Sequence, residues 1–246
     1  MQASPLRAFL FILDSPKWPQ NLLWLSLAAL TQNMVIGTIF LFGYGAEMMR
    51  ARVGIKGVVA PDIESGRLGD YFNQGIVPIL AYLVFALPSS CVISVLVVVP
   101  AIALASFAES AQGDALPISL VLFVLVGVLI WCVLVVVMTM FLAVVLIRGM
   151  ITQDFRRSFD IGWMLSFLKL MFVEMLLGML VLVALSMVVV MLGMAILCVG
   201  VVPASGICSA AMLHLCCQWY EIFLSRGGEP VEGPLDDVVT ADLIGR

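Results

Sequence analysis

The chain has 246 residues, a net charge of -4 at pH 7, 63% hydrophobic residues and only 11% charged residues. With a mean hydropathy of +1.17, it is excluded from the ordinary soluble globular proteins. The acidic balance gives no basic surface for nucleic acid, so no nucleic-acid partner is expected. We predict an all-α fold, a polytopic integral membrane helical bundle whose first partner is the lipid bilayer.

The N-terminal region divides into two parts. Residues 1–20 are predicted to form an interfacial segment with a turn before Trp18. Residues 21–49 form the first membrane segment, which is long enough to cross once, although Thr31, Gln32 and Asn33 lie at its middle. We prefer one crossing, which puts the N-terminus outside. A re-entrant hairpin of two half-helices is the alternative and brings the N-terminus inside.

A basic connection follows and is assigned to the cytoplasm, because lysine and arginine accumulate on that side. It contains Arg50, Arg52, Lys56 and Arg67. A surface helix is predicted at 65–75, followed by membrane segments at 76–108 and 115–147. The acidic turn between these segments, 109–114, has no lysine or arginine and is expected to face outward. A second cytoplasmic connection is marked by four basic residues, Arg148, Arg156, Arg157 and Lys169.

A second surface helix is predicted at 153–165, where four aromatic residues recur every fourth position. These residues are Phe155, Phe159, Trp163 and Phe167. The stretch 175–220 contains no Asp, Glu, Lys or Arg and is long enough for two crossings. We predict segments at 166–198 and 203–225, separated by a break at Gly200–Gly206. Residues 21–225 then form one membrane domain, and 226–246 form an acidic, disordered tail.

Residues 87 positions apart match in kind, which predicts a parallel internal repeat. Chance matching among apolar residues is the alternative. Leu68 and Phe72 correspond to Phe155 and Phe159. The predicted interfacial stripe therefore comprises Leu68, Phe72, Phe155, Phe159, Trp163 and Phe167.

Polar residues within membrane segments are the candidates for function. His214, Gln218 and Glu221 recur on one face of the last segment, and Glu174 lies near the start of the preceding one. These four residues are a candidate polar site for a proton, an ion or a headgroup. Hydrogen bonding between helices near the interface is the alternative reading.

Catalytic and metal-binding patterns are not found in the sequence. His214 is the only histidine, and the chain has no H-E-x-x-H, G-x-S-x-G or phosphate-binding loop. The six cysteines show no metal-binding spacing and imply no disulfide framework. We expect no enzyme activity, no cofactor and no metal.

Several short motifs are similar to those of a known family. They include Asp14-x-x-x-Trp18, Gly43-Tyr44, Ala60-Pro61-Asp62, Gly69-Asp70-Tyr71-Phe72 with Gly75, Asp154-Phe155, Phe159-Asp160, His214 and Gln218. In this order they resemble the prokaryotic membrane proteins of domain-of-unknown-function family four-zero-one-three, over about residues 14–222. The family usually has Trp-Asp-Asp where this chain has Pro61-Asp62-Ile63-Glu64. The resemblance implies a membrane fold and a prokaryotic source, and no activity.

Two functional hypotheses follow. The first is a non-enzymatic scaffold or accessory subunit in the prokaryotic cytoplasmic (inner) membrane, multi-pass, with a cytoplasmic C-terminus. The second is a small transporter or lipid-handling protein that uses the polar face of the last segment. Another membrane protein or a second copy of the chain is the expected protein partner. The sequence leaves the substrate, the partner and the oligomeric state open.

Overall fold

A computed structural model describes residues 3–54, 61–110, 118–196 and 199–231. Within these ranges the chain forms seven α-helices and no β-strand. The helices are α1 (Pro5–Leu10), α2 (Trp18–Thr31), α3 (Ile36–Gly54), α4 (Leu68–Ser110), α5 (Ile118–Thr152), α6 (Ile161–Ala195) and α7 (Val201–Ser225). Predictions for Lys56, for most of the acidic turn and for the tail beyond Val231 lie outside the described residues.

The chain divides into two compact units, one of Met1–Tyr82 with Ala143–Arg246 and one of Leu83–Leu142. In the first unit α7 is the central helix, because α1, α2, α3 and α6 all pack against it. Small residues permit this close packing: a Cβ at Gly206 would approach the backbone of Leu25 to 2.8 Å, and one at Gly178 would approach the Trp219 ring to 3.0 Å.

Residues 21–49 form a helical hairpin, and not the single crossing that we preferred. Helix α2 ends at Thr31, a 3-10 turn spans Gln32–Met34, and α3 begins at Ile36. The polar residues thus form a turn, which Val35 closes with a left-handed φ of 68°. The two helices pack closely because Gly37 faces the carbonyl oxygen of Ala28, which an added Cβ would approach to 1.8 Å.

Neither predicted surface helix exists as a separate helix. At 65–75, the 3-10 turn Ser65–Arg67 leads without a break into α4. At 153–165, the Asp154 carboxylate accepts hydrogen bonds from the backbone N–H groups of Arg156 and Arg157. A 3-10 turn follows, and Asp160 caps α6 by accepting from the Trp163 N–H at 3.2 Å. These side chain to backbone bonds favour turns over a continuous helix.

Among the described residues, four helices are long and apolar enough to cross a membrane, judged over Ser65–Val92, Leu125–Thr152, Ile161–Ala195 and Val201–Ser225. They correspond to the last four predicted segments. The break before α7 falls earlier than predicted, since α6 ends at Ala195 and Pro203 lies within the first turn of α7, where proline is tolerated. The local structure differs between the proposed repeats: Phe72 lies inside α4, whereas its counterpart Phe159 lies in a 3-10 turn.

The second unit consists of the facing parts of α4 and α5. Phe85 stacks on Phe141 with ring centroids 6.3 Å apart, and the Ser89 hydroxyl approaches the Met138 sulfur at 3.5 Å. Many of its described apolar side chains are exposed, among them Leu125 and Leu129, which suits a lipid environment.

Candidate functional site

The polar face of α7 holds the N-terminal segment. The Gln218 side-chain oxygen accepts from the Ser4 N–H at 2.7 Å, and its amide nitrogen donates to the Ser4 carbonyl at 3.3 Å. The same amide nitrogen lies 3.1 Å from Nδ1 of His214. The His214 ring stacks on Phe11 with ring centroids 4.4 Å apart. Two of the four predicted site residues are thus in direct contact and tie residues 4–11 to the last helix.

Glu174 is engaged at a different place. Its carboxylate lies 2.6 Å from the Arg226 guanidinium, just beyond the end of α7, and its side chain is 19% exposed. Arg226 also donates to the Leu170 carbonyl at 3.1 Å. Glu221 is half-buried on α7, three residues beyond Gln218. The structure pairs Glu174 with the end of α7, while His214 and Gln218 face the N-terminal segment.

The predicted aromatic stripe is divided between the interior and the surface. Trp163 and Phe167 are buried and pack on Phe223 of α7, with ring centroids 5.4 and 4.6 Å away. The Trp163 indole N–H donates to the Glu229 carbonyl at 2.9 Å. Phe155 is 43% exposed and contacts Phe159 edge to face.

A polar cluster that the sequence analysis missed lies where the α1–α2 connection meets residues 61–64. The Asp62 carboxylate accepts from the Ser15 hydroxyl and from the Asn21 amide at 3.1 Å, and lies 3.8 Å from the Lys17 ammonium. Asn21 is buried, and its side-chain oxygen accepts from the Ile63 N–H at 3.0 Å. The hydrogen bonds from Ser15 and Asn21, with the nearby Lys17 charge, hold the pKa of Asp62 below its usual range.

The same region continues along α3 and α4. Tyr44 donates to the Pro61 carbonyl at 3.0 Å and meets the Tyr71 ring edge to face. The Arg67 guanidinium pairs with Glu47 and, at 3.6 Å, with Asp70. These contacts join the later part of α3 and the start of α4 to the connection between these two helices.

A close approach of two helices supports this region. An added Cβ at Gly43 would lie 1.7 Å from the Tyr71 carbonyl oxygen, and one at Gly75 would lie 1.8 Å from the Ile39 carbonyl oxygen. Only glycine permits α3 and α4 to meet at these two positions. Motif residues that are far apart in the sequence, such as Gly43, Asp62 and Gly75, therefore belong to one packed region.

Arg148 stabilises the second connection, between α5 and α6. Arg148 of α5 is buried, donates to the Arg157 carbonyl, and lies 2.9 Å from the Asp160 carboxylate. Its guanidinium also lies 4.9 Å from the centre of the Trp163 ring. Asp160 therefore caps α6 and neutralises a buried cation at the same time.

An apolar groove of about 210 Å³ lies between α2, α3 and the start of α4. Its walls include Trp24, Leu27, Leu30, Ile36, Phe40 and Phe72. Thr31 also lines it, but its hydroxyl donates to the Leu27 carbonyl at 2.9 Å. The groove therefore offers contacts to an apolar molecule.

Some residues of the polar cluster around Asp62 are noticeable in the sequence. Asn21 and Glu47 are polar residues near the two ends of a largely apolar stretch, and Asp62 follows a proline. Their meeting depends on the reversal at Gln32–Val35, which the preferred single crossing excluded. No group of three His, Cys, Asp or Glu residues that could hold a metal is present among the described residues.

Four helices of spanning length and a charge-poor hairpin define a multi-pass helical membrane protein. The chain belongs to the family described as "Protein of unknown function (DUF4013)", whose profile matches residues 26–199. This confirms the resemblance drawn from the short motifs. No curated protein and no solved structure matches the chain.

Proposed function

We propose that the chain is a non-enzymatic scaffold or accessory subunit of the prokaryotic cytoplasmic membrane. The observation that carries this proposal is the use of the candidate polar residues within the chain itself. Gln218 binds both backbone groups of Ser4, and Glu174 binds Arg226. These contacts fit a structural role, because they stabilise the position of the N-terminal segment and the end of α7.

The direct test is to extract the protein from its native membrane in polymer nanodiscs and to identify what co-purifies. A protein partner in constant stoichiometry is the expected result. Phe155→Ser, at an exposed position, is expected to weaken this association, whereas Leu6→Ser, also exposed but far along the chain, is the control. Trp163 is unsuitable for this test because its ring is buried against Phe223. Recovery without any stoichiometric protein would count against the scaffold role.

A membrane topology with both termini in the cytoplasm fits the hairpin. Its reversal puts Lys17 near the same end as Glu47, and an even number of further crossings, α4 to α7, then returns the chain to that side. In this arrangement the described basic residues lie on one side, as the positive-inside rule expects. They are Arg7, Lys17, Arg50, Arg52, Arg67, Arg148, Arg156, Arg157, Lys169 and Arg226. This proposal replaces the outside N-terminus of the single-crossing hypothesis.

A lipid-handling role is the second candidate, and the apolar groove beside α2 favours it. A lipid-handling protein needs an apolar site that lipid can reach, and an apolar groove with several exposed lining residues fits this need. A vesicle assay with fluorescent phosphatidylcholine tests it: the purified protein should accelerate movement of the lipid between leaflets or vesicles. Glu174→Gln tests whether the predicted polar site takes part in lipid movement. A slower rate would show that it does, and an unchanged rate would show that it does not.

A further inference from the structure

Lys169 lies on the outer face of α6. The helix has only two charged side chains, Lys169 and Glu174. Lys169 is exposed, and its neighbours one turn earlier and one turn later on the same face, Leu165 and Val173, are 52% and 64% exposed. Phe167, which packs on α7, lies on the opposite side of the helix. In a helix that crosses a membrane, a face of exposed, large apolar side chains is directed towards lipid, and Lys169 is the charge on that face.

The charge of Lys169 is not balanced within the described part of the chain, where no carboxylate forms an ion pair with its ammonium group. Glu174, the only acidic residue of α6, lies 2.6 Å from the Arg226 guanidinium. Arg226 also donates to the carbonyl of Leu170, the residue next to Lys169, at 3.1 Å. Two cations and one carboxylate thus lie around this part of α6 and leave one positive charge. Because an unpaired charge that faces lipid is costly, we expect an anion from outside the chain beside Lys169.

The lengths of α6 and α7 give the depth of this charge in the bilayer. Counted back from the end of α6, the roughly 20 residues that cross the hydrocarbon reach Met175, and Lys169 lies ~9 Å beyond it along the helix. Counted forward from the start of α7, the same length reaches Tyr220, and Arg226 also lies ~9 Å beyond. The headgroup region extends about 5–8 Å from the hydrocarbon on each side. Both helices therefore put a cation within side-chain reach of the headgroups.

We propose that Lys169 binds the phosphate of an anionic phospholipid. The phosphate supplies the negative charge that the chain does not, and the acyl chains lie along the exposed apolar residues that follow on α6, Val173, Leu177 and Leu180. A headgroup without a cation of its own is favoured over phosphatidylcholine, because the choline cation is repelled by Lys169. The inference goes beyond the scaffold role and does not depend on it, since it requires only that α6 crosses the membrane.

Photolabelling tests the proposal. The full-length protein is reconstituted in phosphatidylcholine nanodiscs with a small fraction of either phosphatidylglycerol or phosphatidylcholine that has a diazirine in the same acyl chain, and the labelled residues are mapped by peptide mass spectrometry. We expect phosphatidylglycerol to label Val173 and Leu177 about fivefold more than phosphatidylcholine does, as for ~1 kcal/mol from one lysine at an anionic surface. Lys169→Gln should lower this ratio to about one, and Lys169→Arg, which keeps the charge, should preserve it.

Lys17→Gln is the matched control, because it removes the same side chain at a site where Asp62 lies 3.8 Å from the ammonium group. It should leave the ratio at Val173 and Leu177 unchanged. Equal falls for both glutamine variants would show a general attraction to positive charge, and an unchanged ratio in Lys169→Gln would show that another cation selects the lipid. Either result overturns the site. Absence of labelling by both lipids would overturn the crossing by α6 as well. Lys169→Met, also uncharged, repeats the test if Lys169→Gln fails to elute as a single species.

Discussion

Asp62 shows how a single carboxylate can hold distant parts of the chain together. It accepts hydrogen bonds from Ser15 and Asn21, and Asn21 in turn binds the backbone of Ile63. Hydrogen bonds to a charged acceptor contribute more to stability than those between neutral groups. The connection before α4 is therefore attached to the start of α2 through a network of polar bonds.

We predict that Asp62→Asn lowers the thermal midpoint at pH 7 by about 2–4 °C, the equivalent of ~1 kcal/mol. The difference should depend on pH with a defined sign. The folded protein holds the pKa of Asp62 below its usual value, so the carboxylate stabilises the fold above the unfolded pKa of about 3.9. That stabilisation is lost as the pH falls through the lower, folded value. Thermal unfolding in detergent from pH 7 to pH 3 should show the two midpoints converging below about pH 4.

Val35 is a strained residue at the hairpin turn. A β-branched side chain at φ 68° is an outlier, because the left-handed region disfavours Cβ branching. We predict that Val35→Gly raises the free energy of unfolding by ~1 kcal/mol. Val35→Ala, which keeps a Cβ but removes the branch, should give a smaller gain. A lower midpoint for the glycine variant would show that the Val35 side chain contributes more through its contacts than it costs in strain.

At the scale of the elements, the approach of α3 to α4 depends on two glycines. An added Cβ at Gly75 would lie 1.8 Å from the Ile39 carbonyl oxygen, so the helices would have to move apart. We predict that Gly75→Ala destabilises the protein by about 1–3 kcal/mol, as for other overpacked sites. The measurement is the thermal midpoint together with the fraction that elutes as a single species.

Gly69→Ala on the same helix is the control for this substitution. At Gly69 no atom of the described chain would lie within 4 Å of an added Cβ. Alanine is the better helix former by up to ~1 kcal/mol, so this variant should be neutral or slightly stabilised. Equal losses from both variants would mean that α4 tolerates no Cβ for a reason other than contact with α3.

The helical type of the elements and the last four apolar segments were predictable, while the hairpin and the helix boundaries were not. Long apolar stretches identified α4 to α7, because a helix satisfies its backbone hydrogen bonds within a single stretch when no water is present. The hairpin at Thr31 was the alternative that we did not prefer. Its formation depends on Gly37 packing against Ala28 in the folded chain, and this contact is not visible in the sequence. The helix predicted at 153–165 was wrong because side-chain periodicity does not reveal that Asp154 and Asp160 bind nearby N–H groups.

The candidate polar site stays a prediction, and the sequence did not reveal the contacts of its members. His214 and Gln218 were expected on one face of the last helix, and in the structure they lie 3.1 Å apart. Their partners, Phe11 and Ser4, are more than 200 positions away in the sequence, and no local pattern connects residues at that separation. The cluster around Asp62 was missed because its members are 41 to 47 positions apart in the sequence and meet through the reversal at Gln32–Val35.

At the scale of the whole molecule, the proposed topology makes a prediction for labelling from each side of the membrane. In a variant without native cysteines, single cysteines at Gln20, Ser65 and Ser225 should react with a charged maleimide from the cytoplasmic side only. A cysteine at Val199, between α6 and α7, should react from the other side. A cysteine at Gln32, in the hairpin turn, should react slowly from both sides. Rapid reaction of Gln32→Cys from the side of Val199 would mean that α2 crosses the membrane.

The packing of the first helices on the last has a consequence for biosynthesis. Helices α1, α2 and α3 all contact α7, and Ser4 is bonded to Gln218. At translation rates of ~5–20 residues per second, α7 leaves the ribosome on the order of ten seconds or more after α2. During this interval the nascent hairpin must wait in the membrane without its principal neighbour, in contact with lipid or with the insertion machinery. A ribosome that stalls before α7 therefore leaves the N-terminal helices without the helix that all three of them contact in the folded protein.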